Sequence, residues 1–84
     1  MKIIIDGKQY TALSITTAAE AVARKFGDCT IISFLYPDED ELWESEMTSE
    51  GDSFYGSGKT QWAALIDMLQ NCREYWPAGI DIPK

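Results

Sequence analysis

Residues 29–48 read CTIISFLYPDEDELWESEMT, and the fold turns on how this stretch is parsed. Cys29 to Tyr36 is rich in β-branched and aromatic side chains, which suit a pleated, half-buried surface. Pro37, Asp38, Glu39 and Asp40 then supply turn chemistry. From Glu41 to Thr48 the chain alternates, so Trp43, Ser45 and Met47 share one face while Leu42, Glu44, Glu46 and Thr48 share the other. The stretch predicts a β-hairpin with one face on the core and one in water.

Upstream, Lys2–Ile5 and Lys8–Leu13 flank Asp6-Gly7, the strongest short-range signal for a two-residue hairpin turn. Thr17-Ala18-Ala19-Glu20 has the form of a capping box and predicts a helix start there. Ala19, Val22, Ala23 and Phe26 follow the helical period, Arg24 and Lys25 suit the last turn, and Gly27 suits the stop. Downstream, residues 49–58 read as a Gly/Ser/Asp connection holding Phe54 and Tyr55, with room for a short third strand. Thr60 caps a second helix, in which Trp62, Leu65, Ile66, Leu69 and Trp76 keep the period until Pro77 and Gly79 end it. Residues 80–84 read as a tail. The order ββα-ββ(β)-α predicts an α+β fold, a two-layer sandwich of one antiparallel sheet of four or five strands with both helices on one face. The two halves share an order of elements but no residue-level repeat.

Eighty-four residues suffice for one domain, spanning 1–84, and leave little chain for an elaborate cleft. The chain contains no histidine, which removes the usual general base near neutral pH and the commonest transition-metal ligand. Cys29 and Cys72 are too far apart for a C-x-x-C motif, and both read as small buried hydrophobes. Asp6 interrupts the opening apolar run too early for a signal peptide or a membrane span, so the expectation is a cytoplasmic protein with reduced thiols.

Charge is distributed unevenly. Residues 1–25 hold four basic and two acidic side chains, residues 26–58 hold nine acidic and no basic ones, and residues 59–84 hold three of each. Asp38, Glu39, Asp40, Glu41, Glu44, Glu46, Glu50 and Asp52 carry most of the excess, with Tyr36, Trp43, Phe54 and Tyr55 among them. Glu44 and Glu46 on one strand face stand roughly 6.5–7 Å apart, twice the rise per residue and close to the spacing of successive phosphates on a nucleic-acid strand. Such a row presents carboxylates where a nucleic-acid-binding protein expects phosphates, and steers the chain toward a basic protein surface. The plainer reading is a solvated face that keeps a small protein soluble, although soluble surfaces normally intersperse both signs. Direct nucleic-acid binding is disfavoured, because phosphate contacts need the cations this segment lacks.

No other motif supplies chemistry. Gly56-Ser57-Gly58-Lys59-Thr60 resembles part of a phosphate-binding loop, but Ser53 stands where its first glycine belongs, and this element order builds no parallel α/β sheet. Read as a calcium loop, residues 38–49 put Trp43 in place of the turn glycine and Ser49 in place of the bidentate glutamate. Neither cysteine has an imidazole to activate it. The expectation is therefore no catalytic residue, metal or cofactor. Tyr75 falls off the apolar stripe and is expected to be exposed, whereas Trp76 is expected to pack.

Two resemblances follow from these residues. Gly58-Lys59-Thr60-Gln61-Trp62-Ala63-Ala64-Leu65 resembles the G-x-T-x-x-E-A-L start of a helix after a sheet in HicB-like antitoxin domains, with Ala63 in place of the acidic residue. The whole chain resembles in style the small, acidic, phage-encoded inhibitors of bacterial defence, anti-CRISPR proteins among them. That resemblance implies stoichiometric binding to a basic nucleic-acid-handling surface of a host complex. The expected function is thus a non-enzymatic interaction protein from a phage or mobile element, acting through Asp38, Glu39, Asp40, Glu41, Trp43, Glu44, Glu46, Glu50, Asp52 and Tyr55. The alternative is an antitoxin-like or regulatory module that neutralises a small basic partner protein. Neither requires a membrane, and the sequence leaves monomer and homodimer open.

Overall fold

The computed structural model describes residues 1–37, 39 and 41–83. Strands β1 (Ile3–Ile5) and β2 (Lys8–Tyr10) form the first hairpin, with Ile5 opposite Lys8. Asp6 and Gly7 take φ of 50° and 86°, the left-handed pair that a tight turn matching strand twist requires. Beyond β2, the Thr11 amide donates to Ser14 Oγ at 3.3 Å and the Ser14 hydroxyl to the Thr11 carbonyl at 3.1 Å, closing a turn of 3-10 helix over Ala12–Ser14. Helix α1 (Ile15–Phe26) follows at once, so Thr17 lies inside the helix rather than at its cap. The cap falls at Ser14, three residues earlier than expected, where the Thr11-x-x-Ser14 closure leads into the helix. The helix ends at Gly27 as its composition predicts, the Gly27 amide reaching the Ala23 carbonyl at 3.1 Å.

Strands β3 (Ile31–Leu35), β4 (Trp43–Ser49) and β5 (Asp52–Gly58) form an antiparallel meander. Residues 49–58, expected to be mostly connection, hold a two-residue turn, Glu50-Gly51, and a seven-residue strand. Glycine content hid that strand. A Cβ at Gly56 would collide with the backbone of Met68 and Ala64, and one at Gly58 with Ala63, so these glycines let α2 (Gln61–Asn71) lie close against β5.

The Thr60 hydroxyl caps α2 as expected, accepting from the Ala63 amide at 3.0 Å. The helix stops at Asn71, five residues before Trp76. The Leu69 carbonyl accepts from the Cys72 amide at 3.2 Å and from the Trp76 indole at 2.8 Å, and Arg73–Tyr75 form a 3-10 turn. Trp76 therefore packs on the core from an extended segment and not from the helical stripe. Tyr75 is exposed.

The tail contains a further strand, β6 (Ile80–Asp81), which pairs with β1 on the edge away from β2. This overturns the expected single sheet. The fold is α+β with two helices and two three-stranded antiparallel sheets, β2-β1-β6 and β3-β4-β5. The reason is local: β6, anchored by buried Ile80 and Ile82, takes the β1 edge that a single sheet would have used. The core joins Ile3 and Ile5 of the first sheet to Val22 of α1, Met47 of β4, and Leu65, Met68 and Leu69 of α2. Cys72 is buried within it, whereas Cys29, in the turn before β3, is exposed, contrary to the reading of both as core.

Candidate protein-interaction surface

Helix α2 covers one face of the β3-β4-β5 sheet and leaves the other bare. Alternation along the register decides which side chains fall where. The bare face carries Ile31, Ser33 and Leu35 from β3, Glu44, Glu46 and Thr48 from β4, and Ser53, Tyr55 and Ser57 from β5. Glu44 lies between Leu35 and Ser57, and Glu46 between Ser33 and Tyr55. Glu44 is exposed and Glu46 half-buried among its neighbours. Among the described residues no ion pair involves either carboxylate.

The surface is also apolar. Ile31 is 65% exposed, Leu35 54% and Tyr55 60%, which is unusual for side chains of this type directly around two carboxylates. Tyr36, just beyond β3, is exposed as well, but its ring lies 5.3 Å from that of Trp43, on the side away from this patch. Ile31 and Leu35 were not among the residues singled out from sequence, because an apolar β-prone run looks like core. The period-2 pattern Ile31-x-Ser33-x-Leu35 was the available signal, since it sets these three residues opposite Thr48, Glu46 and Glu44.

The expected binding residues are only partly brought together. Glu44, Glu46 and Tyr55 share the bare face. Trp43 points to the opposite face with Ser45 and Met47. Glu39 and Glu41 are exposed at the Leu35 end of the sheet, while Glu50 and Asp52 are exposed at the other end, in and beside the β4–β5 turn. The two ends are separated by β4, about 20 Å at the usual rise per residue. Asp38 and Asp40 lie outside the described residues. The acidic groups thus form a strip along β4 rather than a compact cluster. Among the described residues, no three His, Cys, Asp or Glu side chains converge in a way that could hold a metal ion.

The Gly56–Thr60 segment is strand followed by helix cap rather than a loop around an anion, with its backbone already engaged. The Ser57 amide donates to Asp67 Oδ2 at 2.9 Å. Concavities are found among the described residues. The first, of about 380 Å³, lies next to Ser57 and beside Met1, Trp62 and Ile66, and another, of about 280 Å³, between α1 and the start of β3. Among the described residues no helix is long and apolar enough to cross a membrane. No family model, curated protein or solved structure matches this chain.

Proposed function

We propose that the chain is a non-enzymatic binding module whose bare β3-β4-β5 face occupies a basic protein surface that otherwise holds DNA or RNA. The observation that carries this reading is the pairing of Glu44 and Glu46 on an uncovered sheet, ringed by exposed Leu35 and Tyr55, in a segment of 33 residues without one lysine or arginine. Carboxylates supply steering and register toward a cationic partner, and the apolar ring supplies the contact area that charge alone does not. Glu39, Glu41, Glu50 and Asp52 extend the same field toward both ends of the strip. In this reading the host partner is a nucleic-acid-handling defence complex in the cytoplasm and the source a phage or mobile element, in the manner of anti-CRISPR inhibitors.

The test is a pull-down from host lysate at low and at moderate salt, analysed by mass spectrometry, with the Glu44→Lys/Glu46→Lys protein alongside. A nucleic-acid-binding complex that is competed by DNA or RNA, falls away as salt rises and is lost with the double variant is the expected result. A partner retained equally by the variant rules the acidic strip out as the binding surface. Added nucleic acid itself is expected to show no affinity for the purified chain.

A further inference from the structure

We infer that β3 pairs with β3 of a second copy, antiparallel and centred on Ser33, joining two three-stranded sheets into one of six strands. The two edges of the sheet are not equivalent. On the β5 edge, outward backbone groups are occupied by α2: Asn71 Nδ2 donates to the Tyr55 carbonyl at 2.9 Å, and the Ser57 amide donates to Asp67. On the β3 edge nothing comparable is found among the described residues. The Glu50-Gly51 turn makes Ser49 and Asp52 a hydrogen-bonded pair, so Met47, Ser45 and Trp43 also bond toward β5, while Thr48, Glu46 and Glu44 bond toward Ile31, Ser33 and Leu35. The amides and carbonyls of Ile32 and Phe34 are therefore directed away from the sheet, where an added strand would meet them.

The strand is self-complementary. In the register centred on Ser33, Ile32 faces Phe34 of the second copy and Phe34 faces its Ile32, which completes four backbone hydrogen bonds. On the bare face Ile31 meets Leu35 of the second copy, and Leu35 its Ile31, covering two of the most exposed apolar side chains in the protein. On the other face Phe34 of the second copy is brought beside Ile32, toward the cavity of about 280 Å³ where the small Thr16, Ala19 and Ala23 of α1 leave space against β3. No charged side chain lies on β3. Glu20 of α1 lines the same cavity as Ile31 and Ile32, while Glu46, one strand back on β4, stands about 14 Å from its counterpart at three strand spacings and Glu44 farther. That exceeds the screening length of about 8 Å at physiological salt. A second copy therefore fits this edge better than an unrelated strand, and pairing should tighten as salt rises, opposite to the salt response of the proposed partner binding.

The register is tested by cross-linking. Ser33→Cys, placed in a Cys29→Ser background, puts two thiols directly opposite each other in a non-hydrogen-bonded pair, whose Cα separation of about 4.5 Å lies within disulfide reach. Mild oxidation of the native-state protein is expected to convert most of the chain to a disulfide dimer. Leu35→Cys, which faces Ile31 in this register, should form no disulfide dimer in the same Cys29→Ser background under the same conditions. Sedimentation equilibrium of the unmodified chain should give a dimer that dissociates about tenfold or more readily with Leu35→Lys. Ile32→Pro, whose lost amide faces outward on an edge strand, should keep the circular dichroism of the fold and give a monomer. An unmodified chain that is monomeric at every salt concentration, or a dimer that Ser33→Cys does not cross-link or Leu35→Cys cross-links as well, overturns the inference. None of these outcomes depends on the host partner.

Discussion

The Ser45 hydroxyl donates a 2.7 Å hydrogen bond to the Ala64 carbonyl across the interface between β4 and α2, and both residues are fully buried. Next to it in register is Gly56, whose α-carbon faces the same helix. A small polar residue and a glycine side by side allow the helix to approach the sheet closely, and that approach orients the sheet with its acidic face outward. The surface proposed to bind is thus fixed by what lies beneath it.

Gly56→Ala should accordingly be among the most damaging single changes in the protein. The added methyl meets the Met68 and Ala64 backbone, which cannot move without shifting α2, so a loss of about 3 kcal/mol or more is expected. Ser45→Ala removes one buried hydrogen bond without adding bulk and should cost about 1 kcal/mol. Urea denaturation of the two variants checks the order. If Gly56→Ala were the milder change, the close approach of α2 would not be what the fold depends on.

Glu44→Lys/Glu46→Lys should leave stability within about 0.5 kcal/mol of the parent, because neither carboxylate is ion-paired among the described residues and both face outward. Thermal melts of parent and variant at equal salt measure this. A large loss of stability would mean that the carboxylates are needed for folding, and reduced binding by the variant could then not be assigned to the surface.

At Glu50 the chain adopts φ of 50°, a left-handed conformation in which a glutamate is strained, followed by Gly51 at 88°. Glu50→Asn supplies the residue such turns favour and should stabilise the protein by about 0.5 kcal/mol, read as a rise in the urea midpoint with unchanged slope. Gly51→Ala should do the reverse, since no partner contact compensates for its φ. Equal effects of the two changes would rule out the turn geometry as their cause.

Legibility in the sequence followed the range of the signal. The Asp6-Gly7 hairpin, the Thr60 cap, the α2 stripe and the two faces of β4 were readable, because each depends on residues within one turn or one strand. What escaped depends on distant partners. Ile80–Asp81 became a strand only because β1 offered an edge, and β5 read as a connection with room for no more than a short strand because its glycines serve a helix that the chain builds later. The candidate site shows the same division. Glu44 and Glu46 could be placed on one face from alternation alone, but the exposure of Ile31 and Leu35 required knowing that no helix covers that side.

Burial pushes the Cys72 thiol above its ordinary value, so the folded protein holds the proton longer than the unfolded chain does. With the folded value above the unfolded one of about 8.5, the stabilisation is complete below that pH and is lost as pH rises through the folded value. The loss of stability as pH rises above about 8.5 should therefore be steeper in the parent than in Cys72→Ala, which lacks this titration although it starts from a lower stability. Reagent accessibility gives an independent check on the same site. Exposed Cys29 should react with a thiol reagent at once, and Cys72 only at the rate at which the core opens. Two thiols modified at equal speed at neutral pH, without unfolding, would show that Cys72 is not enclosed between α2 and Trp76.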